Sequence, residues 1–166
     1  MSNSFLITVF EHKAWCNRGL IEALRAAPET ADRAGLAVAI FTFDHTNVVD
    51  RIFRAHLSGT EHGIDNVVAT RFPKLDELAD AMAETDAWYL DYVRGVTPAE
   101  LEEVVEFTFV DGDPGRMTRG EILAHIITHG ASHRGAVGKM LEGLQVHGAA
   151  DMVTTFSRVR REGVAK

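Results

Sequence analysis

The sequence predicts an all-α protein, a four-helix bundle with a short β-hairpin before the last long helix. Three observations predict it. Four segments of about twenty residues repeat their apolar positions at helical spacing. Pro28, Ser58-Gly59 and Pro73 punctuate the chain between them. One stretch alone, residues 106–118, reads as two short strands around a Gly/Asp/Pro turn. At 166 residues, a single domain covering 1–166 is expected, with a core that needs no staples.

The first helix is expected over about Ile7 to Ala26, with Phe10, Ala14, Ile21 and Leu24 on one face. Asn17 falls within that face; His12, Trp15 and Cys16 fall outside it, and His12 is expected at the surface with His62. The second helix runs from about Leu36 to Leu57. Val38, Phe41, Val48, Val49, Ile52 and Phe53 form its apolar face, with Asn47, Asp50, Arg51 and Arg54 opposite. The third runs from about Lys74 to Arg94, where Asp86 sits among Leu75, Leu78, Met82, Tyr89 and Val93. The fourth runs from about Thr118 to Leu144, and Thr118 with Glu121 has the spacing of a capping box. The tail, about 147–166, is expected to be irregular and to pack along the outside.

Composition narrows the function classes. The net charge is −7 and no basic stripe is present, so nucleic acid and anionic membranes are not expected partners. The longest apolar run, around Leu36 to Phe43, is far too short to span a bilayer. The single cysteine, Cys16, allows no internal disulfide, and the first residues lack a secretory pattern, so a reducing cytoplasm is expected.

The informative stretch is HIITHGASHRG, residues 125–135, with His125, His129 and His133 four apart. With His129 as origin, Ile122 and Met140 lie at roughly +20° and Ile126 and Leu144 at roughly +60°. His133 lies at roughly +40°, inside the apolar arc, and His125 at roughly −40°, at its margin. Two imidazoles in an apolar face are costly unless their nitrogens are satisfied. Their spacing on one helix side suits chelation of one ion. On the second helix His45 is centred among Val38, Phe41, Val49 and Ile52. His56 shares that face, but roughly 16 Å farther along the axis, beyond reach of the same ion. Pattern alone leaves hydrogen-bonded core histidines open as the alternative. The helix carries no H-E-x-x-H peptidase motif, since Gly130 follows His129. Inward Glu-x-x-His pairs of di-iron bundles, phosphate loops and nucleophile elbows are absent as well.

These residues resemble the DinB/YfiT-like family of metal-binding four-helix bundles, over nearly the whole chain. Trp15-Cys16-Asn17 is similar to its Trp-Ala-Asn stretch. Phe43-Asp-His45 followed by Asp50-Arg-Ile-Phe53 is similar to its Leu-x-His and Asp/Glu-Arg-x-Trp pattern. Glu121 to Gly135, EILAHIITHGASHRG, resembles its most diagnostic block. The resemblance implies a divalent metal held by His45, His129 and His133, with His125 in a supporting or structural role. Zinc or nickel is expected first, and iron or copper also suit imidazole ligands. It further implies a homodimer and, in some relatives, transfer of a low-molecular-weight thiol to an electrophilic small molecule. Two departures stand out. Ala136 replaces the glutamine of His-Arg-Gly-Gln, and Ser132 stands where a histidine is common.

Three neutral imidazoles leave a coordination position open, as in catalytic rather than structural sites. The leading expectation is therefore a metal-dependent thiol transferase or hydrolase, with no catalytic residue assigned. The alternative is a non-catalytic metal-binding or stress-related homodimer. A metal-free bundle with merely hydrogen-bonded histidines is a third reading. Asn17 and Asp86 are expected to face inward, as partners of a ligand imidazole or as satisfied core polar groups, the better reading for Asp86. Ala136, at roughly −20°, is expected to point inward beside the ligands. Arg134, at roughly +140°, is expected near the flank. Ala131, Gly135 and Gly138 form a strip of small residues on the side away from the histidines. They would let another helix approach closely, within the chain or across a dimer, where Trp15 could contribute.

Overall fold

The structure, a computed structural model, describes residues 3–68 and 70–163. Its elements follow in the order α1 (Ser4–Arg25), α2 (Arg33–Ser58), α3 (Leu75–Gly95), α4 (Pro98–Leu101), β1 (Val104–Thr108), β2 (Pro114–Thr118), α5 (Arg119–Gly143) and α6 (Val153–Glu162). The long helices α1, α2, α3 and α5 match the four periodic segments. α1 packs on α3 and α5, and α2 packs on α5 and α3.

Local chemistry sets the ends of these elements. Asp32 caps α2 by accepting from the Ala34 N–H at 3.0 Å. Asp76 and Glu77 lie in the first turn of α3, where the helix dipole favours negative charge. The capping box at α5 is present: Thr118 Oγ1 accepts from the Glu121 N–H at 3.1 Å, and Glu121 Oε2 accepts from the Thr118 N–H at 2.7 Å. The hairpin pairs Val104 with Thr118 and Phe107 with Gly115. A Cβ at Gly115 would sit 2.3 Å from the Phe107 ring. Only glycine lets that ring cross the hairpin to stack on His56, with centroids 4.5 Å apart.

The interior has three levels along the helices. One end holds an apolar cluster that includes Leu20, Leu24, Phe43, Leu78, Val137 and Leu141. The other holds Phe10, Phe53, Tyr89, Val93, Ile122 and Ile126. Between them in sequence, on all four long helices, lie buried polar residues: Lys13 and Asn17, Asn47 and Asp50, Asp86, and Arg134.

Several expectations are corrected. The tail is not irregular, since Val153–Glu162 forms α6 with Phe156 buried against α1. Trp15 and His12 meet Phe156, with centroids 5.8 and 5.6 Å away. The helix-one flank is thus covered within the chain, which also explains why Cys16 is buried. On α2, Asn47 and Asp50 are buried whereas Val38 is 47% exposed. The helix packs against two neighbours, so its inward arc is wider than the apolar stripe and rotated from it. Arg134 is buried rather than on a flank, because Asp151 and Asn17 neutralise and bond its guanidinium.

Candidate metal centre

α2 brings His45 to face His129 and His133, one turn apart on α5. One ligand atom from each of the three lies within 4.8 Å of the others, and all three side chains are half-buried. The ring centroids are 5.1 Å apart for His45 and His129, 4.9 Å for His45 and His133, and 4.5 Å for His129 and His133. His45 Nε2 and His129 Nε2 are 3.3 Å apart. Neighbouring ligands on a tetrahedral ion with bonds of about 2.0–2.1 Å have nearly that separation.

His45 is oriented from behind. Its Nδ1 lies 2.8 Å from the Val67 carbonyl in the α2–α3 connection. Nδ1 must therefore carry the proton and donate, which leaves the Nε2 lone pair aimed at His129. This backbone-held imidazole is the usual device for fixing a ligand tautomer. His129 has no such partner, and its Nδ1 is buried without a hydrogen bond. Burial, followed by the neighbouring His133 and His45, pushes the His129 pKa down to about 4. His133 is lowered by burial and by His45. In the absence of an ion these rings are therefore neutral near pH 7, the protonation state a metal requires.

The other candidates divide clearly. His125 stacks on His129 with centroids 5.2 Å apart and meets Phe53 at 5.1 Å. It stands outside the three-histidine group, as its marginal angle implied. Among the described residues no fourth His, Cys, Asp or Glu joins that group. Ala136 is exposed rather than inward; at that level α5 turns Arg134 and Val137 into the interior instead. His45 lies at the edge of the buried arc rather than at its centre, which leaves this side of the group partly open to solvent.

Asn17 and Asp86 belong to a different polar region. Lys13 Nζ bridges Asp50 Oδ2 at 2.7 Å and Asp86 Oδ1 at 2.5 Å. Asn17 Nδ2 donates to Asp86 Oδ2 at 2.9 Å, and Arg134 Nη1 donates to Asn17 Oδ1 at 3.2 Å. Arg134 Nε then donates to Asp151 Oδ2 at 2.7 Å. Burial alone would lower the Lys13 pKa, but Asp50 and Asp86 raise it overall and hold the ammonium charged. Gly130 makes room for this network, since a Cβ there would sit 3.2 Å from Arg134 Nη1. Lys13 escaped the sequence reading. The signal was available in a lysine one residue from Ala14, on a helix that carries inward Asn17.

The DinB superfamily matches residues 38–137, which hold all three histidines and the hairpin. The chain belongs to the DinB superfamily. Comparison with curated proteins and with solved structures returns no match. In this DinB chain His45, His129 and His133 are the three histidines whose ligand atoms lie within 4.8 Å of one another. No helix of it, among the described residues, is long and apolar enough to cross a membrane.

Proposed function

We propose that this chain is a DinB/YfiT-type four-helix bundle whose His45, His129 and His133 bind one divalent metal ion, zinc or nickel before iron or copper. The observation that carries the reading is the convergence of three imidazoles within 4.8 Å, with His45 fixed by the Val67 carbonyl. The donor set fits such an ion: three imidazole nitrogens, no carboxylate in the group among the described residues, and a side partly open to a further ligand. A metal held there supplies a Lewis acid that activates a thiol or water at neutral pH. The chain's own part is to bind and orient. Val67 fixes the His45 tautomer, and His125 packs on the face of His129.

The reaction we assign is transfer of a low-molecular-weight thiol to an electrophilic small molecule, in a cytoplasmic homodimer. The second reading, a non-catalytic metal-binding or stress-related homodimer, is favoured by one observation. Asn17 and Asp86 are committed to the buried ion network, so neither serves as an acid or base beside the histidines. For the dimer, the strip of Ala131, Gly135 and Gly138 is the face we assign. A Cβ at Gly135 or Gly138 would meet nothing within 4 Å.

Metal analysis of the untagged protein beside His45→Ala tests the centre. One equivalent of metal in the first and its loss in the second is expected, and no metal in either overturns the reading. Turnover with bacillithiol, mycothiol or glutathione against a panel of electrophiles then separates the transferase from the non-catalytic protein. Sedimentation of the full chain checks the dimer.

A further inference from the structure

A second group of metal-ligating side chains lies on the opposite flank, apart from the three histidines. His12 and Cys16, one turn apart on α1, face Asp151 in the segment that leads into α6. Cys16 Sγ is 3.2 Å from His12 Nε2, and that nitrogen is 3.6 Å from Asp151 Oδ1. A tetrahedral zinc with bonds of about 2.0–2.3 Å places its ligand atoms about 3.3–3.7 Å apart. The N–O edge lies within that range and the S–N edge lies just short of it, so small side-chain shifts would fit a tetrahedral ion.

We propose that His12, Cys16 and Asp151 form a second site for a thiophilic divalent cation, and that the ion clips the α6 segment to α1. The carboxylate is divided in the way such a role needs. Asp151 Oδ2 accepts the strong bond from Arg134 Nε at 2.7 Å, while Oδ1, the oxygen facing His12 at 3.6 Å, takes a longer contact of 3.3 Å from Arg134 Nη2, and the Cys16 thiol also bonds to this carboxylate. One oxygen holds the guanidinium and the other is available to an ion.

Charge agrees. The buried network sets Lys13 and Arg134 against Asp50, Asp86 and Asp151, two cations against three carboxylates, a net −1. A divalent ion bound with the Cys16 thiolate adds +2 and −1 and brings the whole cluster to neutrality. The thiol proton leaves to solvent as the sulfur–metal bond forms, and no redox change is involved. The Asp151 side chain is 32% exposed and that of His12 12%, so an ion reaches the buried sulfur from the Asp151 side.

The remaining ties between α6 and α1 are few: Phe156 against His12 and Trp15, and Arg160 to Glu11 at 2.9 Å. An ion shared between Cys16 and Asp151 would be a strong addition to them.

Cobalt(II) titration of the untagged full chain tests the site. Because Cys16 is the chain's single cysteine, a thiolate-to-cobalt charge-transfer band reports this site alone, whether or not His45, His129 and His133 bind metal. The expected result is such a band, saturating at one cobalt per chain beyond any taken up by the three histidines, absent in Cys16→Ser and weakened at least tenfold in affinity in Asp151→Asn. Protection of residues 152–163 from limited proteolysis is expected to rise with cobalt in the unsubstituted chain and not in Cys16→Ser. Cobalt binding without the band overturns the proposal, as does a band that Asp151→Asn leaves unchanged. Unchanged circular dichroism of both variants is the folding control. If either variant unfolds, the band and the protection in the unsubstituted chain decide.

Discussion

Two polar regions sit midway along the long helices, one reaching all four and the other only α2 and α5, and they solve burial differently. The ionic network of Lys13, Asp50, Asp86, Asn17 and Arg134 is closed to solvent; its cations and carboxylates pair within the chain, its side chains are nearly inaccessible, and Asp50 Oδ1 is its one buried oxygen without a partner among the described residues. The histidine group is half-open and carries no carboxylate, and it leaves a buried nitrogen of His129 without a partner. A closed network spends its donors and acceptors on the fold. An open one keeps lone pairs for something outside the chain. The difference separates scaffold from site more sharply than the identity of any one residue does.

That contrast can be broken first at Lys13. Lys13→Met leaves Asp50 and Asp86 buried without their cation, and a loss of about 3–5 kcal/mol is expected in denaturant unfolding. A loss below about 1 kcal/mol would mean the network is not closed. His45→Ala is the counterpart. Metal affinity is expected to fall at least tenfold, while the metal-free protein loses only about 1–2 kcal/mol, the cost of truncating one half-buried side chain.

Acid sharpens the comparison further. Burial lowers the pKa of His56 and carries that of His129 to about 4. The unfolded chain takes up these protons near its ordinary histidine pKa of about 6.5, whereas the folded chain refuses them. Stability of the metal-free protein is therefore fully present above about pH 6.5 and falls as the pH drops from there toward 4. Thermal melts across that range check it, and His129→Ala is expected to flatten the slope. The smallest effect is a matched pair on α5. Gly135→Ala, with open space around the new Cβ within the chain, should stabilise the dissociated chain by about 0.5–1 kcal/mol from helix propensity. Gly130→Ala should not, because its Cβ meets an Arg134 that Asp151 and Asn17 hold in place. Equal stabilisation by both would show that Arg134 is free to move.

The long helices and the hairpin were legible because periodicity, caps and turn residues act locally. Thr118 with Glu121 and the Leu78-Met82-Asp86-Tyr89 face of α3 are examples. The histidine group was legible because residues four apart on a helix share a side wherever the helix docks. What failed was the fate of charged residues. Asp50 and Arg134 look like surface residues on a helical wheel, and their partners come from other helices and from the segment before α6. Burial of a charge depends on a partner distant in sequence, which a single-helix pattern does not contain. Ala136 failed for the complementary reason. Its angle was inward, but among the described residues the arc of α5 that is buried runs through Arg134 and Val137 and leaves Ala136 exposed.

The mid-level ionic network also acts as a ruler. Apolar faces alone let packed helices slide, because one Leu or Val can replace another a turn away. Lys13 cannot be replaced in this way. A slip of one turn, about 5.4 Å, would carry its ammonium off both carboxylates at once. α1, α2 and α3 are therefore locked in axial register by Lys13, and α5 by the reach of Arg134 to Asn17. That register sets the height at which His129 and His133 meet His45, so the tolerance of an imidazole centre on two helices is held by a lysine on a third.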